Sequence, residues 1–165
     1  NELEIVDAIQ WLMDHKKKVQ SSEVEGFWKD TGRPEDLLEG NQLVLDEIKD
    51  NRIGKISEDS IVKGRVVIEK GAKILNKSRI QGPVIIGANA VIDHSFIGPY
   101  TSVGNNVEIK GTEVEGSIIM DNSKISSGKR IVNSLIGANC QITSYKETLP
   151  YGHRIVSGDN SEIEL

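Results

Sequence analysis

The chain has 165 residues and a formal net charge of -5, a balance that disfavours nucleic acid and anionic lipid as partners because both require a clustered basic face. Its single cysteine, Cys140, excludes an internal disulfide framework and a multi-cysteine zinc site, and it fits a reducing cytoplasm. No apolar run approaches the roughly 18 residues that a membrane-spanning helix needs. The chain begins at Asn1 without a methionine, which suggests a cut or processed piece.

The first fifty residues are expected to mix helix and strand. Helical spacing of apolar residues predicts an amphipathic helix, with Glu2, Glu4 and Asp7 placing negative charge near its start. Its apolar stripe comprises Ile5, Ala8, Ile9, Leu12 and Met13. Residues 19–28 suit a short strand. Two helices and one strand cannot bury such stripes alone, so a further sheet is implied.

A second helix is predicted to begin at Pro34, because proline lacks the amide donor that would be unpaired at a first helical position. The apolar residues of this helix are Leu37, Leu38, Val44, Leu45 and Ile48.

From residue 56 the hydrophobic period changes to six residues, with occasional gaps of five. The series comprises Ile56, Val62, Ile68, Ile74, Ile80, Ile86, Ile92, Ile97, Val103, Ile109, Val114, Ile119, Ile125, Ile131, Ile136 and Ile142. This period fits neither an isolated helix nor an alternating strand, whereas it suits a solenoid of short strands joined by tight corners, three to a coil. We expect the aliphatic series to point inward, glycine and asparagine to occupy the corners, and the five-residue gaps to form tighter corners.

This repeat resembles the hexapeptide-repeat, left-handed parallel β-helix family. The left hand follows from the resemblance alone, since the general rule for parallel crossovers favours the right hand. The predicted fold is therefore mainly β: a left-handed parallel β-helix preceded by a helical, α/β remnant of another domain.

Three segments identify a second resemblance: ELEIVDAIQWL at 2–12, VEGFWKDTGRPEDLLEGNQLVLD at 24–46 and GDNSEIEL at 158–165. They resemble sugar-phosphate nucleotidyltransferases, in particular the long-form glucose-1-phosphate thymidylyltransferase family. Members carry a Rossmann-like catalytic domain followed by a hexapeptide-repeat β-helix. The resemblance implies three regions: residues 1–52 as the end of the catalytic domain, 53–145 as the β-helix, and 146–165 as a C-terminal tail.

The aspartate of the family's W-x-D-T-G motif binds the catalytic Mg²⁺ and corresponds to Asp30. The reaction brings together two phosphate-bearing anions, which a hard cation held by carboxylates can neutralise. Asp-Thr-Gly is also a common turn composition, so a plain turn residue is the alternative. The family's other catalytic residues lie upstream of Asn1, and this chain alone is expected to be inactive. Phe27 and Trp28 are expected to be core residues.

The resemblance implies an enzyme that makes dTDP-glucose and pyrophosphate from dTTP and glucose 1-phosphate in the cytoplasm, with Mg²⁺ as cofactor. Because the base-reading residues lie outside the chain, a UTP-dependent sugar-1-phosphate uridylyltransferase is an alternative. A hexapeptide-repeat sugar acyltransferase, or a purely assembling and regulatory module, are others. The flat faces of the β-helix imply a homo-oligomer, with a trimer favoured, and no nucleic-acid or membrane partner.

Four further side chains have a chemical and a structural interpretation. His94 falls at a predicted corner, where acyltransferases of the hexapeptide type use a histidine base, although an exposed corner histidine is favoured because no second polar partner is evident. His15 ends a helix and His153 lies in the tail, and neither forms a metal-ligand pair. Cys140 occupies a small-residue corner position and is expected to be an inert packing residue.

Overall fold

The structure is a computed structural model, and it describes residues 4–23, 25–26 and 32–144. The chain divides into two compact units, Asn1–Asp30 and Thr31–Leu165. Within the described residues, helix α1 (Ile5–Asp14) belongs to the first unit, while helix α2 (Pro34–Glu47) and every strand belong to the second.

Both predicted helices are present, whereas the described part of the predicted strand is not a strand. The stripe of α1 is exposed, from 76% for Ile5 to 38% for Leu12, as expected of an apolar face that requires a partner. In the stretch from 19 to 28, the described residues 19–23 and 25–26 form no strand, so that prediction is wrong there. Strand propensity alone was insufficient, because no described strand pairs with this segment.

Seventeen short parallel strands form the remainder of the described chain. They are β1 (Asn51–Arg52), β2 (Lys55–Ile56), β3 (Ile61–Lys63), β4 (Val66–Ile68), β5 (Lys73–Leu75), β6 (Arg79–Gln81), β7 (Val84–Ile86), β8 (Val91–Asp93), β9 (Phe96–Ile97), β10 (Thr101–Val103), β11 (Glu108–Lys110), β12 (Glu113–Glu115), β13 (Ile118–Ile119), β14 (Lys124–Ser126), β15 (Arg130–Val132), β16 (Leu135–Ile136) and β17 (Gln141–Thr143).

Every third strand pairs with the next, which is the topology of a three-sided solenoid. Sheet A has the order β1-β4-β7-β10-β13-β16, sheet B has β17-β14-β11-β8-β5-β2, and sheet C has β15-β12-β9-β6-β3. Successive coils therefore stack one strand spacing apart, about 4.8 Å, and satisfy each other's backbone hydrogen bonds. The predicted parallel β-helix is confirmed. Its handedness, the Rossmann-like remnant and the three predicted region boundaries stay predictions.

The core is the aliphatic series that the six-residue period predicts. Registers such as Ile68 with Ile86 and Ile86 with Val103 place these side chains in ladders along the solenoid axis. From Ile68 to Ile125 every member of the series is at most 1% exposed, and only members near the ends, such as Ile56 and Ile142, are partly exposed. The predicted register is therefore confirmed, because a shift by one residue would turn these side chains outward.

Two kinds of corner recur between the strands. At four of the six-residue gaps an asparagine adopts positive φ, and these residues, Asn89, Asn106, Asn122 and Asn139, form a ladder of side-chain amide hydrogen bonds from coil to coil.

Each of the four five-residue gaps is a short, two-residue corner, as predicted, although the corners at 64–65 and 82–83 in six-residue gaps have the same length. A residue with positive φ is followed by a serine or threonine whose hydroxyl donates to the carbonyl two residues back: Ser95 to Asp93 O, Thr112 to Lys110 O, Ser117 to Glu115 O and Ser134 to Val132 O, at 2.7–3.0 Å.

Candidate functional site

The motif with the proposed metal ligand adjoins the start of α2. Phe27, Trp28 and Asp30 lie outside the described residues, so their predicted roles stay predictions. Gly32 and Arg33 are the next described residues. The Arg33 amide donates to Asp36 Oδ2 at 3.1 Å, and Pro34 follows as the first helical residue, as predicted. The end of the motif therefore leads directly into a helix with a defined start.

Helix α2 is fixed to the solenoid by polar contacts at β10 and the corner before it. Asn41 Nδ2 donates to the carbonyl of Tyr100 at 3.0 Å, and Ser102 Oγ donates to Asn41 Oδ1 at 2.5 Å. One amide side chain thus joins the middle of the helix to two positions of the solenoid. We name this contact region between α2 and the solenoid the α2 seam.

Asp46, one turn further along α2, extends the seam. Its Oδ1 accepts hydrogen bonds from the Tyr100 hydroxyl at 3.1 Å and from Arg65 Nη2 at 3.3 Å. The hydrogen bond to this carboxylate raises the pKa of Tyr100, because it favours the protonated phenol. Leu45 is fully buried, as predicted for the stripe. Val44, in contrast, is 63% exposed, so its predicted burial is wrong.

Asp50 stabilises the connection between α2 and the first coil. Its Oδ1 accepts the Val66 amide at 2.9 Å and the Arg52 guanidinium at 2.9 Å. The amide hydrogen bond, followed by the bond from Arg52, lowers the pKa of Asp50 below its ordinary value, because both stabilise the ionised form. The segment that follows the motif is therefore anchored at three successive places: Asn41, Asp46 and Asp50.

The described residues contain no complete metal site. Among them, no group of three or more His, Cys, Asp or Glu side chains is placed to hold a metal ion. A hard cation such as Mg²⁺ takes about six oxygen ligands, several of them from water or substrate phosphates, so Asp30 could supply only part of a site. None of the described helices has the length and apolar composition to cross a membrane.

His94 is an exposed corner residue, as favoured from sequence. It has positive φ, and its Nδ1 lies 3.2 Å from the carbonyl of Asn76. No described carboxylate accepts a hydrogen bond from this ring, so the partner that would orient a general base is missing from the described part of the chain.

The other histidines and the cysteine add no reactive group to the described structure. His15 Nδ1 lies 2.8 Å from the Trp11 carbonyl, and its ring stacks on Trp11 with centroids 3.9 Å apart. His153 lies outside the described residues. Cys140 packs against the solenoid core, as predicted for a structural thiol.

Comparison with known proteins agrees with both resemblances. Residues 80–163, about half of the chain, match the family model described as the GMPPB C-terminal domain. The chain belongs to this family. The matched segment begins in β6 of the solenoid and continues beyond the described residues, so the GMPPB C-terminal domain family corresponds to the repeat region and not to the helices.

Curated relatives extend the similarity to the N-terminal helices. A glucose-1-phosphate thymidylyltransferase from Streptomyces antibioticus is 48% identical over 164 residues, which cover 99% of this chain and 46% of that protein. The low-salt glycan biosynthesis nucleotidyltransferase Agl11 of Haloferax volcanii is 44% identical, with the same two coverages. The bifunctional protein GlmU of Methanocaldococcus jannaschii is 42% identical over 84% of this chain and 34% of its own length. The chain thus spans about half, or less, of these relatives.

Proposed function

We propose that the protein containing this chain is a glucose-1-phosphate thymidylyltransferase, which converts dTTP and glucose 1-phosphate to dTDP-glucose and pyrophosphate in the cytoplasm. The observation that carries the proposal is the 48% identity to a thymidylyltransferase across 99% of this chain. The W-K-D-T-G motif at 28–32 supports it. The chain represents a C-terminal portion of the enzyme, with Asp30 as one ligand of Mg²⁺.

In the proposed reaction this chain supplies only part of the active site. In this reaction a phosphate oxygen of glucose 1-phosphate attacks the α-phosphorus of dTTP and pyrophosphate leaves; a Mg²⁺ held in part by Asp30 would supply positive charge to the phosphates. Asp30 contributes one carboxylate to that ion. Helix α2 begins two residues after the motif, and the α2 seam holds this helix on the solenoid through Asn41 and Asp46.

Pyrophosphate release tests the proposal. The chain alone should release no pyrophosphate from dTTP and glucose 1-phosphate above background. In the full-length enzyme, Asp30→Asn should preserve the fold and lower kcat/KM at least about a hundredfold in saturating Mg²⁺, because a charged ligand becomes neutral. The control is Asp59→Asn, which alters a carboxylate of the solenoid that accepts the Ser57 hydroxyl. Equal activity of Asp30→Asn and wild type would return Asp30 to the role of a turn residue.

Two alternatives have their own measurements. UTP-dependent activity is tested by comparing kcat/KM for dTTP and UTP in the full-length enzyme, where a preference for UTP would replace the thymidylyl assignment. Sugar acyltransfer is tested by thiol release from acetyl-CoA in the presence of amino sugar phosphates. We expect no release, because His94 has no described carboxylate to orient it as a base.

A further inference from the structure

A basic groove lies at the corner that leads from sheet B into sheet C. Its volume is about 440 Å³, and its charged and aromatic lining consists of Lys77, Arg79, His94, Phe96, Lys129 and Arg130, with Glu113 as the only carboxylate among its described lining residues. The chain as a whole has a net charge of -5, so this concentration of cations opposes the overall balance. Such a cleft attracts anions more strongly than the protein as a whole does.

Three of the groove's cations form no salt bridge within the described residues, and one of them, Lys77, still interacts electrostatically with Asp59. Lys110 and Lys124 on sheet B pair with Asp93 and Glu108, and Arg130 pairs with Glu115. Arg79 and Lys129, in contrast, form no ion pair with a described residue. Their charges therefore remain available to a ligand, and a guanidinium matches the geometry of phosphate oxygens particularly well.

The outer face of sheet C places an aromatic ring between cations. Strand pairing aligns Arg79, Phe96, Glu113 and Arg130 in one row across β6, β9, β12 and β15. Three strand spacings of about 4.8 Å separate the two arginines by about 14 Å. Phe96 is partly exposed in this row, so a planar ring can stack on it while phosphates reach the cations.

Two glycines keep the groove open. Gly111 and Gly128 have φ of +55° and +65°, and a Cβ on either would meet nothing within 4 Å. Positive φ does not itself require glycine in this solenoid, since His94 and Asn133 adopt it with side chains. Neither space nor backbone conformation therefore demands these glycines, whereas a side chain at either position would project into the groove.

The hydroxyl groups at the floor of the groove already form hydrogen bonds within the solenoid, so they are not the groups that bind a ligand. Ser95 Oγ accepts the Thr112 amide at 3.2 Å, and Thr112 Oγ1 accepts the Ser127 amide at 3.1 Å. Both hydroxyls also donate to carbonyls of their own corners. Recognition consequently depends on the charged and aromatic side chains at the walls.

We propose that the basic groove binds a nucleoside polyphosphate, with its phosphates on Arg79 and Lys129 and its base on Phe96. Glu113 distinguishes this ligand from a simple anion, because the carboxylate repels phosphate but accepts hydrogen bonds from sugar hydroxyls. The chemistry is shared by a free nucleoside triphosphate and by the nucleotide part of a nucleotide sugar. The proposal uses no residue of the Asp30 motif and does not depend on the proposed activity.

Calorimetric titration of the chain in EDTA tests the groove with three probes: dTTP, dTDP-glucose and inorganic pyrophosphate. We expect one site for a nucleotide, with the dissociation constant rising about tenfold between low and moderate salt, because charge dominates the contact. Tighter binding of dTTP would assign the groove to the free triphosphate, and tighter binding of dTDP-glucose to the nucleotide sugar. Absence of binding by both nucleotides at millimolar concentration would overturn the proposal.

Variants locate the site. The double variant Arg79→Gln with Lys129→Gln should weaken nucleotide binding at least about tenfold, because it removes the two cations proposed to hold the phosphates. The charge-matched control, Lys110→Gln with Lys124→Gln on sheet B, should leave it unchanged. Equal losses in the two double variants would show that only net charge matters and would refute the groove.

Three more substitutions test the base contact, the open groove and the alternative location of the nucleotide. Phe96→Leu should weaken dTTP binding several-fold and leave pyrophosphate binding unchanged, since only the base stacks on the ring. Gly128→Asn should obstruct the groove, because asparagine tolerates positive φ and adds a side chain. Asp30→Asn should bind nucleotide like wild type, and loss of binding there would place the nucleotide at the N-terminal motif and overturn the groove assignment.

Discussion

Single serine or threonine hydroxyl groups stabilise the two-residue corners at the five-residue gaps of this solenoid. Ser117 is fully buried, donates to the Glu115 carbonyl at 2.8 Å and accepts the Ser134 amide of the next coil at 3.0 Å. Ser134 occupies the equivalent position one coil later and donates to the Val132 carbonyl, while no described amide donates to its hydroxyl. The two serines therefore occupy equivalent corners and differ in one inter-coil hydrogen bond and in burial, since Ser134 is partly exposed.

We predict that Ser117→Ala destabilises the chain by about 1–3 kcal/mol, because it leaves the partly buried Ser134 amide without its side-chain partner. Ser134→Ala should cost clearly less, since it removes a bond within one corner only. Urea denaturation followed by circular dichroism measures both. Equal midpoints for the two variants would show that the inter-coil hydrogen bond contributes nothing.

Residue by residue, the sequence predicts the interior of the solenoid better than its corners. The positions from Ile68 to Ile125 were predictable because a six-residue period leaves only one register that buries every aliphatic side chain. The serine and threonine corners were missed, although a signal was present: each five-residue gap contains Ser or Thr directly after His94, Gly111, Gly116 or Asn133. Their role depends on contacts between coils, which one hydroxyl in a sequence does not reveal.

At the scale of elements, α2 shows that tertiary contacts, and not the apolar pattern alone, determine which residues of a helix are buried. The pattern predicts burial of Leu45 and Val44 alike, yet only Leu45 is buried. A flat sheet face buries one narrow side of a helix, and the polar anchors Asn41 and Asp46 determine which side that is. The anchors were not predictable, because their partners, Tyr100 and Ser102, lie more than fifty residues away in the sequence.

The α2 seam makes a prediction about local stability. Asn41→Ala should leave the Tyr100 carbonyl and the Ser102 hydroxyl without their α2 partner and weaken the docking of the helix by about 1 kcal/mol. Amide hydrogen exchange in α2 should then accelerate roughly fivefold while exchange in the solenoid core is unchanged. Gln42→Ala, an exposed change on the same helix, is the control. Uniform acceleration in helix and solenoid would mean that α2 does not open independently.

The candidate functional sites are the part of the molecule where the sequence and the structure contribute most differently to the interpretation. Asp30 comes from a motif, so its role depends on resemblance, and the same resemblance implies that the remaining ligands of the proposed ion lie upstream of Asn1. The basic groove was missed for the opposite reason. Arg79, Phe96 and Lys129 follow no motif, and they become neighbours only because one coil stacks on the next.

At the scale of the whole molecule, the three faces of the solenoid differ in chemistry. Sheet B carries ion pairs such as Lys124 with Glu108, and sheet C carries the basic groove. The outer row of sheet A is mainly aliphatic, and pairing aligns Val67, Ile85, Ser102, Ile118 and Leu135 across the coils. The α2 seam meets this row at Ser102, while Ile118 and Leu135 beyond it remain partly exposed. Charged faces resist close association, so sheet A is the face suited to self-association.

We therefore predict a homo-oligomer, with a trimer favoured, in which the end of sheet A near Ile118 contributes to the contact. Sedimentation velocity at micromolar concentration should give a species of about three chains. Ile118→Asp should shift it toward monomer, because a carboxylate would be desolvated at an apolar contact. Lys73→Asp introduces the same side chain on an exposed position of sheet B and should leave the oligomer intact. A monodisperse monomer would refute the prediction, and an oligomer that survives Ile118→Asp but is lost on deletion of residues 1–50 would move the contact to the helices.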